Sequence, residues 1–140
     1  MSKNLVFIVA YNHESKIEKV VSRIPEEIMA NPDNEVLIID DGSRDRTFFQ
    51  SESIRKKHRG KAKVTVLRNP VNQGYGGNQK LGYRYAIDHG FDRVFLIHGD
   101  GQYAPEYLPQ IVNALGKHEP DALIASRMID RRDALRGGMP

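Results

Sequence analysis

Five short runs rich in aliphatic and β-branched residues punctuate the chain, at residues 5–9, 35–39, 63–67, 93–97 and 121–125. Each has the length of a strand, and their first residues lie 28 to 30 positions apart, the span of a strand, a crossover helix and two short loops. The intervening stretches carry helical spacing. Ile17, Val20, Val21 and Ile24 fall at i, i+3, i+4 and i+7, and Leu108, Ile111, Val112 and Leu115 repeat that pattern. Pro25 is expected to end or kink the first of these helices, and Pro105 suits the opening turn of the second. Residues 47–58 and 76–89 are less periodic, the latter relying on Leu81, Tyr85 and Ala86. Strands apolar on both faces that alternate with helices predict an α/β fold, a doubly wound parallel sheet with helices on both sides. The units share no sequence similarity, so the rhythm is a fold period and not a repeat array.

Sheets of this kind take ligands outside the carboxyl ends of their strands. The polar residues collect there: Ala10, Tyr11, Asn12, His13 and Glu14 after the first run, Asp40 to Ser43 after the second, His98 to Gln102 after the fourth, and Ser126 with Arg127 after the fifth. With 140 residues the chain is expected to be one domain, residues 1–140. Its 39% apolar and 28% charged residues suit a soluble globule. The lack of cysteine excludes a disulfide framework, a thiolate zinc site and a thiol nucleophile. No run approaches the roughly 18 apolar residues of a membrane helix, and none has the form of a signal peptide, so a cytoplasmic location is the expectation. A net charge of +3 favours anionic partners. The basic stretch at residues 55–63 reads as a helix end whose cations complement the dipole, and without interleaved aromatics it does not point to nucleic acid.

Helix capping by Ser43 or Asp45 accounts for one polar side chain after the second strand, and not for the adjacent carboxylates of Asp40 and Asp41. A carboxylate at that position can accept hydrogen bonds from a base or ribose, or hold a cation. Asp100 and Gln102, with Gly99 and Gly101 leaving room for close approach, can direct two oxygens toward one hard cation whose shell phosphate oxygens and water complete. The alternative is an Asp-Gly turn with a solvated Gln. His98 is either a third ligand or a packed histidine at the strand end. Residues 72–78 form a Gly-rich loop entering a helix, where backbone amides attract anions, or a plain flexible loop. A phosphate-loop lysine motif, a nucleophile elbow and a zinc-protease helix are all missing, which excludes those chemistries.

Taken in order, these motifs resemble the nucleotide-binding half of the family 2 glycosyltransferases, above all the branch of dolichol-phosphate and polyprenyl-phosphate sugar synthases. The Asp-Asp-Gly-Ser-x-Asp-x-Thr pattern of that family is complete from Asp40 to Thr47. Asn72, Gly74, Gly76 and Gly77 match its Asn-x-Gly-x-Gly-Gly stretch, and residues 98–102 occupy the place of its Asp-x-Asp-x-Gln metal motif. The resemblance implies a Rossmann-like sheet of GT-A type. It also implies a nucleotide-sugar site formed by Ala10, Tyr11, Asn12, Asp40, Asp41 and Gly76, and a divalent cation, Mn²⁺ or Mg²⁺, held by Asp100 and Gln102 with His98. Asp100 and Arg127 would carry catalysis, Arg127 by pairing with a phosphate. The implied partners are a nucleotide-diphosphate sugar and a lipid-phosphate acceptor at the inner face of a membrane.

The sequence departs from the pattern at several positions. Val9 replaces a Pro, His13 a Glu, His98 the first Asp of the metal motif, and Tyr75 a Lys. Exchanging a carboxylate for a neutral imidazole at His98 removes one negative charge, which disfavours Mg²⁺ more than Mn²⁺. Family members continue past Pro140 with acceptor-binding elements, so the chain is expected to be the amino-terminal part of a longer domain. Two other readings remain: a non-catalytic nucleotide-sugar-binding module, and a receiver-like phosphoacceptor domain. The latter would place its acids after strands one and three, whereas here they follow strands two and four.

Overall fold

The computed structural model describes residues 2–126 together with residues 132 and 136. Four strands, β1 (Asn4–Ala10), β2 (Asn34–Asp40), β3 (Val64–Arg68) and β4 (Arg93–His98), form one sheet in the order β3-β2-β1-β4. All three pairings are parallel, and their register sets Ala10 opposite Asp40, Val9 opposite His98, and Asp40 opposite Arg68. The strands therefore end level with one another. Sequential winding runs outward from β1 to β3 and then returns to the other side of β1 with β4, so the point of reversal lies between β1 and β4.

Every residue of β1 is buried, as a central strand covered on both faces requires. Its side chains alternate between two cores. Val6, Ile8 and Ala10 pack with Ile17, Val20 and Val21 of α1 (Ile17–Ser22), Ile28 of α2 (Glu26–Met29), Ile54 of α3 (Thr47–Lys57) and Leu108 of α5 (Leu108–His118). Leu5, Phe7 and Val9 face the other way, toward Ala86 and Tyr85 of α4 (Gly74–Asp88). Pro25 lies between α1 and α2, and Pro105 opens a 3-10 turn that leads into α5, as the sequence predicts.

The two helices with weak periodicity owe it to what they bury. On its inner face α3 places Thr47 and Ser51 beside Ile54, and Ser51 Oγ donates to the Thr47 carbonyl at 2.8 Å. On α4 the buried positions are Asn78, Gly82 and Ala86, four residues apart and small or polar. Gly82 lets the helix descend onto the sheet: a Cβ there would stand 2.0 Å from the Phe7 ring. A polar peg fastens the opposite end of this layer. Glu35, only 1% exposed, accepts hydrogen bonds from Thr65 Oγ1 at 2.7 Å and Tyr85 Oη at 2.6 Å and pairs with Lys63 at 2.5 Å. Burial opposes its ionisation, but these donors outweigh burial and hold its carboxyl below the ordinary value. Burial, reinforced by the bond to Glu35, pushes the Tyr85 hydroxyl up to about 12.

Two expectations change. Residues 121–125 are not a fifth strand: they follow α5 without regular structure, and Ile124 is 93% exposed. An apolar run is a strand only where its backbone finds a ladder partner and its side chains a core. Among the described residues the outer edge of β4 is not paired with this segment. The Gly-rich stretch is also less of a loop than expected, because α4 begins at Gly74 and takes up Gly76 and Gly77.

Gly82→Ala should destabilise the chain by about 1–3 kcal/mol, since the added methyl meets a buried ring and not an open gap. The loss should shrink when Phe7 is shortened to Leu in the same chain. Urea midpoints of the single and double variants test this, and an unshifted midpoint for Gly82→Ala contradicts the close approach.

Candidate functional site

At the carboxyl edge, the loops after β1 and β2 are laced together. Asn12 N donates to Ser43 Oγ at 2.9 Å, and Arg44 N returns a bond to Asn12 Oδ1 at 2.9 Å. His13 N donates to Thr47 Oγ1 at 2.7 Å, Glu14 N to Asp45 Oδ2 at 3.1 Å, and Arg46 N to Glu14 Oε2 at 2.9 Å. Each loop thus satisfies backbone N–H groups of the other, so the two hold one shape. Asn12 adopts φ of 54°, a left-handed conformation that Asn tolerates better than most residues and that turns the chain back toward β2. Ser43, Asp45 and Thr47 serve this lacing, and burial of Asp45 is outweighed by bonds from Thr47 and Glu14 that hold its carboxyl below the ordinary value.

The adjacent acids divide their work. Asp40 is 0% exposed and turned inward: it accepts hydrogen bonds from Ser43 N and Oγ and pairs with Arg68 at 3.3 Å. Asp41 lies in the wall of a cleft. Its Oδ1 accepts from Asn69 Nδ2 and from Gln73 N, both at 2.8 Å, which leaves Oδ2 for a ligand. Asn78, buried within α4, donates to the Ile39 carbonyl at 3.1 Å and accepts from Asn69 at 3.4 Å, completing the support behind Asp41.

The cleft has a volume of about 270 Å³ and is lined by Val9, Ala10, Tyr11, His13, Asp41, Asn72, Gly74, Tyr75, Asn78 and His98. Of the expected nucleotide-sugar residues it gathers Ala10, Tyr11 and Asp41. Asn12, Asp40 and Gly76 do not line it. A second cleft of about 280 Å³ lies at the amino ends of β2 and β3, around Met29, Asn34 and Lys63. The first is the better candidate, because it sits at the reversal of strand order and receives a carboxylate, two histidines and a helix start.

His13 is half-buried at its mouth, and Gly99 makes room for it, since a Cβ on Gly99 would come within 2.8 Å of His13 Nδ1. Burial pushes the His13 imidazole below its ordinary value, with the negative charge of Asp100 opposing that shift. The imidazole of His98 is hydrogen-bonded through Nε2 to the Tyr75 hydroxyl at 2.6 Å, and its ring lies 4.5 Å from that of Tyr103. Nε2 of His98 is therefore engaged with a tyrosine. Asp100 Oδ1 accepts from Gln102 N at 2.9 Å, so the backbone turn predicted as the alternative to a cation site is formed. Among the described residues no group of three or more His, Cys, Asp or Glu is arranged to hold a metal. One carboxylate with an amide nearby still fits a cation that draws most of its shell from phosphates and water. Arg127 lies outside the described residues.

Asn69, Asn78 and the division between Asp40 and Asp41 are set by the fold and stand outside the sequence expectations. Asn78 carried a readable signal: a polar residue on the helix face that also holds Gly82 and Ala86 must bond to backbone or to another buried group. No helix among the described residues is long and apolar enough to cross a membrane.

The chain is similar to known proteins in sequence and in fold. The chain is 27% identical over 125 residues to the undecaprenyl-phosphate mannosyltransferase of Micrococcus luteus, covering 89% of this chain and 48% of that protein. It is 27% identical over 139 residues to the UDP-N-acetylglucosamine–dolichyl-phosphate N-acetylglucosaminyltransferase of Methanococcus voltae, covering 91% and 54%. It therefore spans about half the length of these curated relatives. Among solved structures, the mannosyltransferase PcManGT of Pyrobaculum calidifontis, in complex with GDP-Man and Mn²⁺, superposes with a TM-score of 0.61 at 21% identity, over 71% of this chain and 28% of that one. S. aureus TarS in complex with UDP-GlcNAc gives the same TM-score of 0.61 at 19% identity, over 91% and 38%. These likenesses show a GT-A type fold and remove the receiver-like alternative. Residues 5–138 match the family described as Glycosyl transferase family 2, and the chain belongs to that family.

Proposed function

We propose that this chain holds the donor of a glycosyl transfer, a nucleoside diphosphate sugar bound with Mn²⁺ or Mg²⁺, and serves transfer of the sugar to a polyprenyl or dolichyl phosphate. The observation that carries the reading is Asp41, buried to 3% exposure in the cleft wall, with one oxygen fixed by Asn69 and Gln73 and the other left to a ligand. A carboxylate oriented in this way suits the N–H of a base or the hydroxyl of a ribose. Ala10 and Tyr11 line the same cleft, with Ala10 next to Asp41 on the neighbouring strand end. The cleft, at about 270 Å³, is on the scale of a nucleoside and leaves the diphosphate at its open end. There the first turn of α4, which includes Gly76, offers backbone N–H groups to an anion.

Asp100 and Gln102 would hold the cation, and His98 stands beside them on Tyr75. A bound divalent cation neutralises charge gathering on the departing nucleoside diphosphate. Asp40 contributes by fixing Ser43 and through it the loop that carries Asn12. Arg127 is proposed to pair with a phosphate of donor or acceptor. The acceptor class rests on the names of the relatives, and a lipid phosphate is already an anion that needs no base to activate it. Work on such an acceptor would bring the chain to a membrane surface from the cytoplasmic side.

Calorimetric titration with UDP- and GDP-sugars, with and without Mn²⁺, tests the reading. Binding of at least one should strengthen with Mn²⁺, and binding of none contradicts it. Asp41→Asn should weaken nucleotide binding by about 1–3 kcal/mol with little change in melting temperature. A large loss of stability at unchanged affinity would assign Asp41 to the fold alone. Asp100→Ala should remove the Mn²⁺-dependent part of the affinity and spare nucleoside binding, and equal losses for nucleoside and diphosphate would refute its role. A chain that binds donors yet neither transfers nor hydrolyses them would be a binding module.

The His13 imidazole should titrate below its ordinary value of 6.5 in an NMR experiment, assigned with His13→Gln. Because the folded state favours the neutral ring, its contribution to stability is present above pH 6.5 and is lost as pH falls toward the lower, folded value. A midpoint at or above 6.5 contradicts the burial argument.

A further inference from the structure

Residues 99–104, between β4 and the helical turn before α5, carry Asp100 and Gln102. The backbone enters this loop from a fixed point, because Gly99 N donates to the Val9 carbonyl at 2.9 Å. It leaves at another, where Pro105 and Leu108 are buried. Between them Gly101 turns through a left-handed φ of 79° and Asp100 Oδ1 caps Gln102 N. A local turn of this kind fixes its own shape but not where the turn stands relative to the cleft.

That placement comes from Arg23, the residue that ends α1, 77 positions before Asp100 in the chain. Its Nη1 donates to the Gly101 carbonyl at 3.0 Å, while Nε and Nη2 meet Glu106 Oε1 and Oε2 at 2.5 and 3.1 Å. One planar guanidinium therefore grips the middle of the loop and the helical turn that follows it, a fork geometry that an ammonium cannot reproduce. Glu106 is held below the ordinary carboxylate value by this arginine, which outweighs its partial burial. As a surface ion pair the contact would stabilise the fold little. Its consequence is positional. The other end of α1 starts from the β1 loop, where Lys16 N and Ile17 N both donate to the His13 carbonyl at 2.9 Å. The short helix thus connects the loop that lines the nucleoside cleft to the loop that carries Asp100.

We infer that Arg23 is a positioning residue that sets the Asp100–Gln102 turn against the nucleoside cleft, so that a cation held at Asp100 meets the diphosphate of a nucleotide bound beside Asp41. The inference rests on the donor-site reading above. It concerns a residue outside every motif in the sequence and assigns it no contact with substrate.

Three variants separate the two ideas. Arg23→Met keeps the aliphatic stem and removes the fork, Arg23→Lys keeps the charge and one donor, and Glu106→Gln weakens the ion pair while leaving the bond to Gly101. In the ligand-free chain, hydrogen exchange at residues 101–104 should quicken in Arg23→Met while the four strands keep their protection. Unchanged exchange in that loop overturns the anchoring. In calorimetry with uridine or guanosine and the corresponding diphosphates, Arg23→Met should bind the nucleoside within a factor of about two of the parent chain, yet lose about tenfold of the gain that Mn²⁺ confers on diphosphate binding, the scale of an outer-shell support to a metal ligand. Arg23→Lys and Glu106→Gln should fall between. An intact Mn²⁺ gain in Arg23→Met, or equal losses for nucleoside and diphosphate, overturns the positioning role. A parent chain that shows no Mn²⁺ gain at all overturns the donor-site reading itself, and hydrogen exchange still decides whether Arg23 anchors the loop.

Discussion

The parallel register of β1 with its two neighbours is the constraint on which the site depends. Ala10 stands opposite Asp40 and Val9 opposite His98, so three loops that are far apart in sequence leave the sheet at one level and one edge. A slip of one residue would exchange the two faces of β1 and send Phe7 and Ile8 into the wrong cores. The register is therefore fixed by burial on both sides. Placing β4 on the far side of β1 from β2 opens the crevice between their ends, and the Gly82 contact with Phe7 brings α4 close enough to roof it.

On this platform, most of the conspicuous motif residues are spent on shape. Ser43, Asp45 and Thr47 satisfy backbone donors of residues 12–14, and Asn12 and Glu14 answer with bonds to residues 44 and 46. Asp40 is committed to Ser43 and Arg68. What this scaffolding presents to the cleft is small: Asp41, the backbone after β1, two histidines and a helix start. Reactive chemistry held by few groups on many supports is how a site keeps its geometry without strain.

The regular part of the fold was legible because β1, β2 and the apolar face of α1 are written in aliphatic residues at diagnostic spacing. The helices α3 and α4 were harder to see, since Thr47, Ser51, Asn78 and Gly82 face inward and carry no apolar signal. Residues 121–125 look like β2 in composition and behave differently, because strand formation depends on an edge and a cover that a local pattern does not encode. At the site, the sequence marked Asp40 and Asp41 equally. Only the pleat of β2 and the reach of Asn69 and Gln73 tell them apart. Arg23 was illegible for a plainer reason: its partners Gly101 and Glu106 lie 78 and 83 residues away.

The cleft at the carboxyl edge is proposed to take a nucleoside diphosphate through Asp41, with Asp100, on the turn that follows His98, holding its cation. Backbone amide NMR of the chain titrated with a nucleoside diphosphate and Mg²⁺ tests it most directly. The predicted result is a contiguous set of shifted amides at residues 10–14, 41–43, 73–76 and 98–102, with residues 29–34 and 60–63 around the opposite cleft unmoved. Shifts confined to that opposite cleft, or spread over the basic end of α3, would contradict the account.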